Sequence, residues 1–341
     1  VSAAAPAALR YVDDSRPGLT RRRLPGGKFA YYDADGRRVR DPGTLARIAA
    51  LAIPPAYREV WICARADGHL QATGRDARGR KQYRYHPDWR AWRDAAKYGQ
   101  LREFGRALPR IRRRVARDLS GRGLAPDKVA ATVVRLLETT LARVGSRAYA
   151  RENGSFGLTT VTRRHAWLQG SRLRLRFTGK SGVAHDVTVR DCRIARVVKR
   201  CLDLPGQQLF HYLDEDGEAR PVDSELINTY LREAGGGDFT AKHYRTWAAC
   251  VLALSLLLRC PAEDAAARRA AVVEVVKLVA ARLANTPAVC RACYIHPGIV
   301  QAYLDGALPA GGAAPAGPRG LAADERRLLA FVAAWPDSED R

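Results

Sequence analysis

The stretch Arg172-Leu-Arg-Leu-Arg-Phe177, followed by Thr178-Gly-Lys-Ser-Gly182 and then Val183–Val189, decides how the rest of the chain is read. Apolar and basic residues alternate without a break from Arg172 to Phe177. A period of two places Leu173, Leu175 and Phe177 on one face and the arginines on the other. The glycines on either side of Lys180 mark a turn, and Val183–Val189 supplies a partner strand. An antiparallel hairpin with Lys180 at its tip is therefore expected. Gly157-Leu-Thr-Thr-Val161, short and β-branched, reads as a further β segment before it.

Around this β interlude the spacing is helical. Ala130, Val133, Val134, Leu137, Leu141 and Val144 recur at helical intervals and predict a helix over Asp127–Arg147. Further helices are expected at Ile194–Leu202, Asp223–Glu233, Thr240–Leu258 and Cys260–Ala284, after Pro287, and at Leu321–Ala334. Two more open at His86–Arg93, with Asp88 as a cap, and at Arg110–Asp118. A short sheet set within helices is an α+β pattern.

The front of the chain is different. Residues 1–20 read as loose. Phe29–Tyr32 and Arg37–Arg40 flank Asp33-Ala-Asp-Gly36 as a hairpin, and Val60–Cys63 and His69–Ala72 form a second around Ala66-Asp-Gly68. A short helix, Thr44–Leu51, stops before Pro54-Pro55. The expected layout is a β-rich domain over 1–94, a mostly helical domain over 95–307, and a linker with a final helix over 308–341. Leu308–Gly320, rich in Ala, Pro and Gly, is the linker.

The 341 residues carry 58 Lys and Arg against 35 Asp and Glu, a net charge of +23. That excess calls for a polyanionic partner, either nucleic acid or an anionic membrane. No basic amphipathic anchor is visible, so nucleic acid is favoured. No apolar run approaches the ~20 residues that span a bilayer, and the first residues lack a signal-peptide pattern. The expected location is the cytoplasm, at the nucleoid. Seven scattered cysteines, an odd number, read as reduced thiols. Cys290-Arg-Ala-Cys293 has no second ligand pair at zinc-site spacing.

Several chemistries are excluded by missing motifs. There is no G-x-x-x-x-G-K-[ST] phosphate loop, no H-E-x-x-H, and no carboxylate cluster for two-metal catalysis. Phosphoryl transfer in this chain would have to rely on organic cations and a protein nucleophile. Five residues can supply these: Arg143, Lys180, Arg245, Asn285 and Tyr294. Each alone has an ordinary explanation, such as a helix-terminal arginine, a turn lysine or a packing tyrosine.

Their order and contexts add more. Ala142-Arg-Val-Gly145 with Tyr149-Ala-Arg-Glu-Asn-Gly-Ser-Phe-Gly-Leu-Thr-Thr160, Phe177-Thr-Gly-Lys-Ser-Gly-Val-Ala-His185, Phe239-Thr-Ala-Lys-His-Tyr-Arg-Thr-Trp247 and Ala284-Asn-Thr-Pro-Ala-Val-Cys-Arg-Ala-Cys-Tyr-Ile-His-Pro297 together resemble the type IB DNA topoisomerases, in their compact poxviral and bacterial branch. Gln71–Tyr85 resembles the first domain of that branch. The likeness spans about residues 10–305.

The resemblance implies relaxation of supercoiled double-stranded DNA by a monomer, through a 3′-phosphotyrosyl intermediate and without ATP, metal or other cofactor. Tyr294 would be the nucleophile. Arg143 and Arg245 would clamp the phosphate, Lys180 would protonate the leaving 5′ oxygen, and Asn285 would bind. Lys242, three residues before Arg245, would assist the acid step. Arginine suits the clamp because its fork of donors is always charged, and a cationic surround favours loss of the phenol proton. Asn285 stands where the viral enzymes have histidine, so it can donate a hydrogen bond but cannot carry charge. Ser181 stands where they have an acid.

The resemblance also implies a clamp around DNA, with contacts from Lys81, Gln82, Tyr83, Arg84 and Tyr85. Arg21–Arg23 and Arg110–Arg117 are further candidates for phosphate contacts, or else solvated faces. Two other functions fit the same residues. A tyrosine site-specific recombinase shares the chemistry but carries histidine where this chain has Lys242. A non-catalytic DNA-binding protein of the same fold would not need all five positions filled.

Overall fold

The computed structural model describes residues 8–308 and 312–335. The chain divides into two compact units, Val1–Lys97 and Tyr98–Arg341.

The first unit contains β1 (Leu19–Arg23), β2 (Phe29–Tyr32), α1 (Pro42–Ala50), β3 (Arg58–Ile62), β4 (Leu70–Arg75) and β5 (Lys81–Tyr85). Its strands form one antiparallel sheet in the order β2-β1-β3-β4-β5. Asp41 caps α1, its carboxylate accepting from Thr44 N at 2.7 Å, and Pro42 fills the first helical position. Leu19, Ile48, Val60, Ile62 and Ala72 make the small core.

The β3–β4 hairpin forms where the sequence predicts it. The other expected hairpin forms in reduced extent: a single antiparallel Tyr32–Arg38 bridge, with Val39 N donating to Tyr31 O and Asp33 N to Arg37 O, both at 2.9 Å, while β2 pairs along its length with β1. Three consecutive arginines hide β1 from any reading of hydrophobic period. Arg21 is nonetheless engaged, donating to the carbonyls of Ile53, Pro54 and Tyr57, and Arg22 lies over the Tyr32 ring.

The helix α2 (Pro87–Leu119) begins before the boundary and merges the two helices expected at 86–93 and 110–118, passing through Pro109. There follow α3 (Pro126–Thr140), α4 (Arg147–Asn153), β6 (Ala166–Gln169), β7 (Arg172–Thr178), β8 (Ala184–Arg190), α5 (Cys192–Asp203), β9 (His211–Leu213) and β10 (Ala219–Pro221). The rest is helical: α6 (Ser224–Gly235), α7 (Ala241–Leu258), α8 (Ala265–Arg282), α9 (Pro287–Cys293), α10 (Pro297–Leu304) and α11 (Ala323–Ala334). This is an α+β layout, with the hairpin of the opening stretch formed as β7 and β8 in a three-stranded sheet, β6-β7-β8. Leu173, Leu175 and Phe177 on β7 are buried in the same core as Leu136 and Leu137 of α3 and Val197 and Val198 of α5.

Three expectations need correction. The helix expected to reach Arg147 stops at Thr140, because Leu141 adopts a left-handed conformation with φ of 57°. Gly157–Val161 is a turn and not a strand. The helix expected from Cys260 starts at Ala265, after Pro261, with Asp264 as its cap at 2.7 Å from Ala267 N. Among the described residues, no helix is long and apolar enough to cross a membrane, and no group of His, Cys, Asp or Glu could hold a metal ion.

Candidate active site

Arg143 lies just beyond α3, in a segment pinned by a backbone crossing. Leu158 N donates to Arg143 O at 2.9 Å, and Thr159 N to Val144 O at 2.7 Å. The two segments approach so closely that a methyl group on Gly157 would lie 2.5 Å from Gly145 Cα. Only glycine permits this, and Gly145 also takes a positive φ of 100°. Thr159 and Thr160 belong to this junction, which explains why their β-branched run is not a strand.

Arg245 sits on α7 and is only 3 % exposed. Its two terminal nitrogens are held by backbone carbonyls, Nη1 donating to Leu141 O and Nη2 to Leu283 O, the latter at 2.7 Å. The left-handed turn at Leu141 thus places a carbonyl for an arginine 104 residues away. Lys242, one turn earlier on α7, is exposed. Asn285 follows Ala284, which has a positive φ of 49°, and precedes α9, capped by Thr286. Arg143 Nη2 donates to Asn285 Oδ1 at 2.5 Å.

Tyr294 ends α9, and its amide donates to Cys290 O at 3.0 Å. The Arg245 guanidinium carbon lies 5.1 Å from the centre of its ring. Burial pushes the Tyr294 phenol up, but the hydrogen-bonding and charge of Arg245, with Arg143 and Lys242, outweigh it and hold the phenol below its ordinary value. Burial in turn lowers the Arg245 guanidinium from its own ordinary value.

Lys180 occupies the turn between β7 and β8 and is exposed, with its Nζ 5.7 Å from the centre of the Tyr149 ring on α4. A cavity of about 360 Å³ is lined by Arg143, Lys180, Lys242, Arg245 and Tyr294, together with Tyr149, and Asn285 joins through Arg143. The structure therefore brings all six residues singled out in the sequence to one place. Three buried donors there, Arg143 Nη1, Arg245 Nε and Asn285 Nδ2, have no hydrogen-bond partner. Buried donors seldom stay unpaired, so this set suits an anion that brings acceptors.

The acceptor carbonyls of Leu141 and Leu283 carry no mark in the sequence, since every residue has one. Tyr149 and His185 were inside the quoted motifs but carried no assigned role. His185 stacks on Phe177, and burial, then Arg143 and Arg245, hold its pKa below the ordinary histidine value.

The residues proposed to touch DNA lie on β5, an edge strand of the other unit. Lys81, Tyr83 and Tyr85 are exposed, and Gln82 and Arg84 alternate with them and are half-buried. The Tyr83 and Tyr85 rings stack 6.1 Å apart. Gln82 donates to Asp76 at 3.0 Å, and Arg84 reaches Ala52 O at 3.4 Å. Of the arginines on α2, Arg112 pairs with Glu138 and Glu325, and Arg114 with Asp118 and Asp127. Those two are engaged within the fold.

The model of the eukaryotic DNA topoisomerase I catalytic core matches residues 86–306. The model of the bacterial DNA topoisomerase IB N-terminal domain matches residues 28–76. A curated relative, the DNA topoisomerase 1B of Acanthamoeba polyphaga mimivirus, is 29 % identical over 291 residues, covering 83 % of this chain and 86 % of its own.

Proposed function

This chain belongs to the type IB DNA topoisomerases, and we propose from that premise that it relaxes supercoiled double-stranded DNA through a covalent bond to Tyr294, with neither ATP nor metal. The observation that carries the reading is the cavity onto which the phenol and four cationic side chains converge.

The Tyr294 Oη attacks a backbone phosphorus. The bond to the 5′ oxygen breaks, a 3′-phosphotyrosine forms, and Lys180 Nζ delivers a proton to the departing oxygen. Charge developing on the nonbridging oxygens meets Arg143, Arg245 and the Asn285 amide. Lys242 lies on the same face as Arg245 and assists the acid step. The cut strand swivels under the torsion stored in the DNA, and the 5′ hydroxyl then attacks the phosphotyrosine to reseal. The bond energy is kept throughout, so no nucleotide is consumed.

The net charge of +23 supports strong, salt-sensitive DNA binding by a monomer, with the exposed Lys81, Tyr83 and Tyr85 of β5 among the contacts. No disulfide joins any two of the described cysteines; the site of action in this reading is the cytoplasm, at the nucleoid. The deciding experiment is plasmid relaxation in EDTA without ATP, run beside Tyr294→Phe. The parent protein should relax the plasmid and be trapped covalently on nicked DNA by denaturant. An absolute magnesium requirement, or a Tyr294→Phe variant as active as the parent, would overturn the reading.

A further inference from the structure

The hairpin that carries Lys180 is rooted on a histidine to which the mechanism above gives no task. His185 on β8 pairs with Phe177 on β7, and their rings lie parallel at 7° with centres 4.8 Å apart. The edge of the imidazole rests over Gly179: a methyl group there would come within 2.6 Å of both Cδ2 and Nε2 of His185. Gly179 has an ordinary φ of −92°, so glycine is needed for space and not for backbone freedom.

Gly179 directly precedes Lys180 and closes the tip. Its amide donates to Val183 O at 2.7 Å, and its carbonyl accepts from Gly182 N at 3.1 Å. Behind Phe177 the aromatic series continues to His165 and Phe156, and Phe156 N donates to Thr178 O at 2.8 Å. The root of the hairpin is thus braced on both sides. Lys180 and Ser181 at the tip are exposed.

We propose that His185 is a positioning residue for the leaving-group step, its ring wedged between Phe177 and Gly179 so that the tip presents Lys180 to the 5′ oxygen. Loss of the ring would let Gly179 sink and the lysine wander, while the arginine clamp and Tyr294 stay in place. The inference rests on Lys180 being the acid.

Single-turnover cleavage of a duplex with a bridging 5′ oxygen, and of the same duplex with a bridging 5′ sulfur, separates these roles, because a thiolate leaves without protonation. Lys180→Ala should be slow on oxygen and recover on sulfur. His185→Ala should lose about tenfold on oxygen, part of what a general acid contributes, recover on sulfur, and bind DNA as the parent does. Gly179→Ala, which displaces the ring, should behave in the same way, and His185→Phe, which keeps the wedge, should stay near the parent. Equal slowing of His185→Ala on both substrates, or full activity on oxygen, would overturn the proposal. Failure of sulfur to rescue Lys180→Ala would instead remove the acid assignment itself. Should His185→Ala not fold, Gly179→Ala and His185→Phe make the same comparison.

Discussion

Arg143 donates to the side-chain oxygen of Asn285 at 2.5 Å, and this one bond fixes which end of the amide faces away from the arginine. With Oδ1 committed, Nδ2 is left as a buried donor without a partner, beside the equally unpaired Arg143 Nη1. In the proposed mechanism, position 285 is then a hydrogen-bond donor to phosphate, oriented by its neighbour.

Substitution at 285 tests that polarity. Asn285→Ala removes one neutral hydrogen bond and should slow single-turnover cleavage about tenfold, as expected of roughly 1.5 kcal/mol. Asn285→Asp keeps the shape and the bond to Arg143 but sets a negative charge against phosphate, so it should be at least another tenfold slower. An aspartate variant faster than the alanine variant would contradict the donor role.

Arg245 spans two carbonyls with its two terminal nitrogens, a geometry a lysine cannot reproduce. Arg245→Lys should therefore cost about 10²- to 10³-fold in cleavage, the usual loss of a preorganised donor to a developing oxyanion. Noncovalent DNA affinity, measured alongside, should change little. Cleavage within threefold of the parent would show that charge alone suffices at this position.

The phenol of Tyr294 is held below its ordinary value by Arg245, Arg143 and Lys242 against the opposing effect of burial. A lowered value means more phenolate at a given pH. Cleavage should rise with pH and level off with a midpoint below ~10, the ordinary phenol value. Lys242→Gln removes one of these cations and should move the midpoint upward. A downward movement would exclude Lys242 from the electrostatics of the nucleophile.

The helix α11 is fastened by Glu325, which is buried against Arg112 and accepts from Trp247 Nε1 at 3.2 Å. Burial pushes the Glu325 carboxyl up, but Arg112 and the Ala322 amide pull it below its ordinary value. A depressed carboxylate stabilises fully above its unfolded-state value and less as pH falls through the folded one. Glu325→Gln should destabilise by roughly 3 kcal/mol near neutral pH, as expected when a buried pair loses one member. Denaturant unfolding should show the difference shrinking in acid. A difference independent of pH would place the effect in packing.

Much of this was legible beforehand, for definite reasons. The Lys180 hairpin declares itself because β7 alternates so strictly, and α7 because its apolar run is long. The order of Arg143, Lys180, Arg245, Asn285 and Tyr294 pointed to a common site only through the family resemblance, since no local period relates residues 151 positions apart. What stayed hidden was either masked or nonlocal. The arginines of β1 concealed a strand, and two helices were expected where one continuous helix runs through Pro109. The crossing of Gly145 and Gly157 is a tertiary contact, and it turned a β-branched run into a turn.

Leu141 shows how an inert residue can govern a reaction. Its side chain takes no part in chemistry, yet its torsion angle aims the oxygen that seats Arg245. Heredity at this position is thus constrained in handedness more than in composition. An unbranched replacement such as Leu141→Met should pass unnoticed in a relaxation assay. Leu141→Ile, whose branched Cβ resists a positive φ, should disarm the guanidinium that its carbonyl seats.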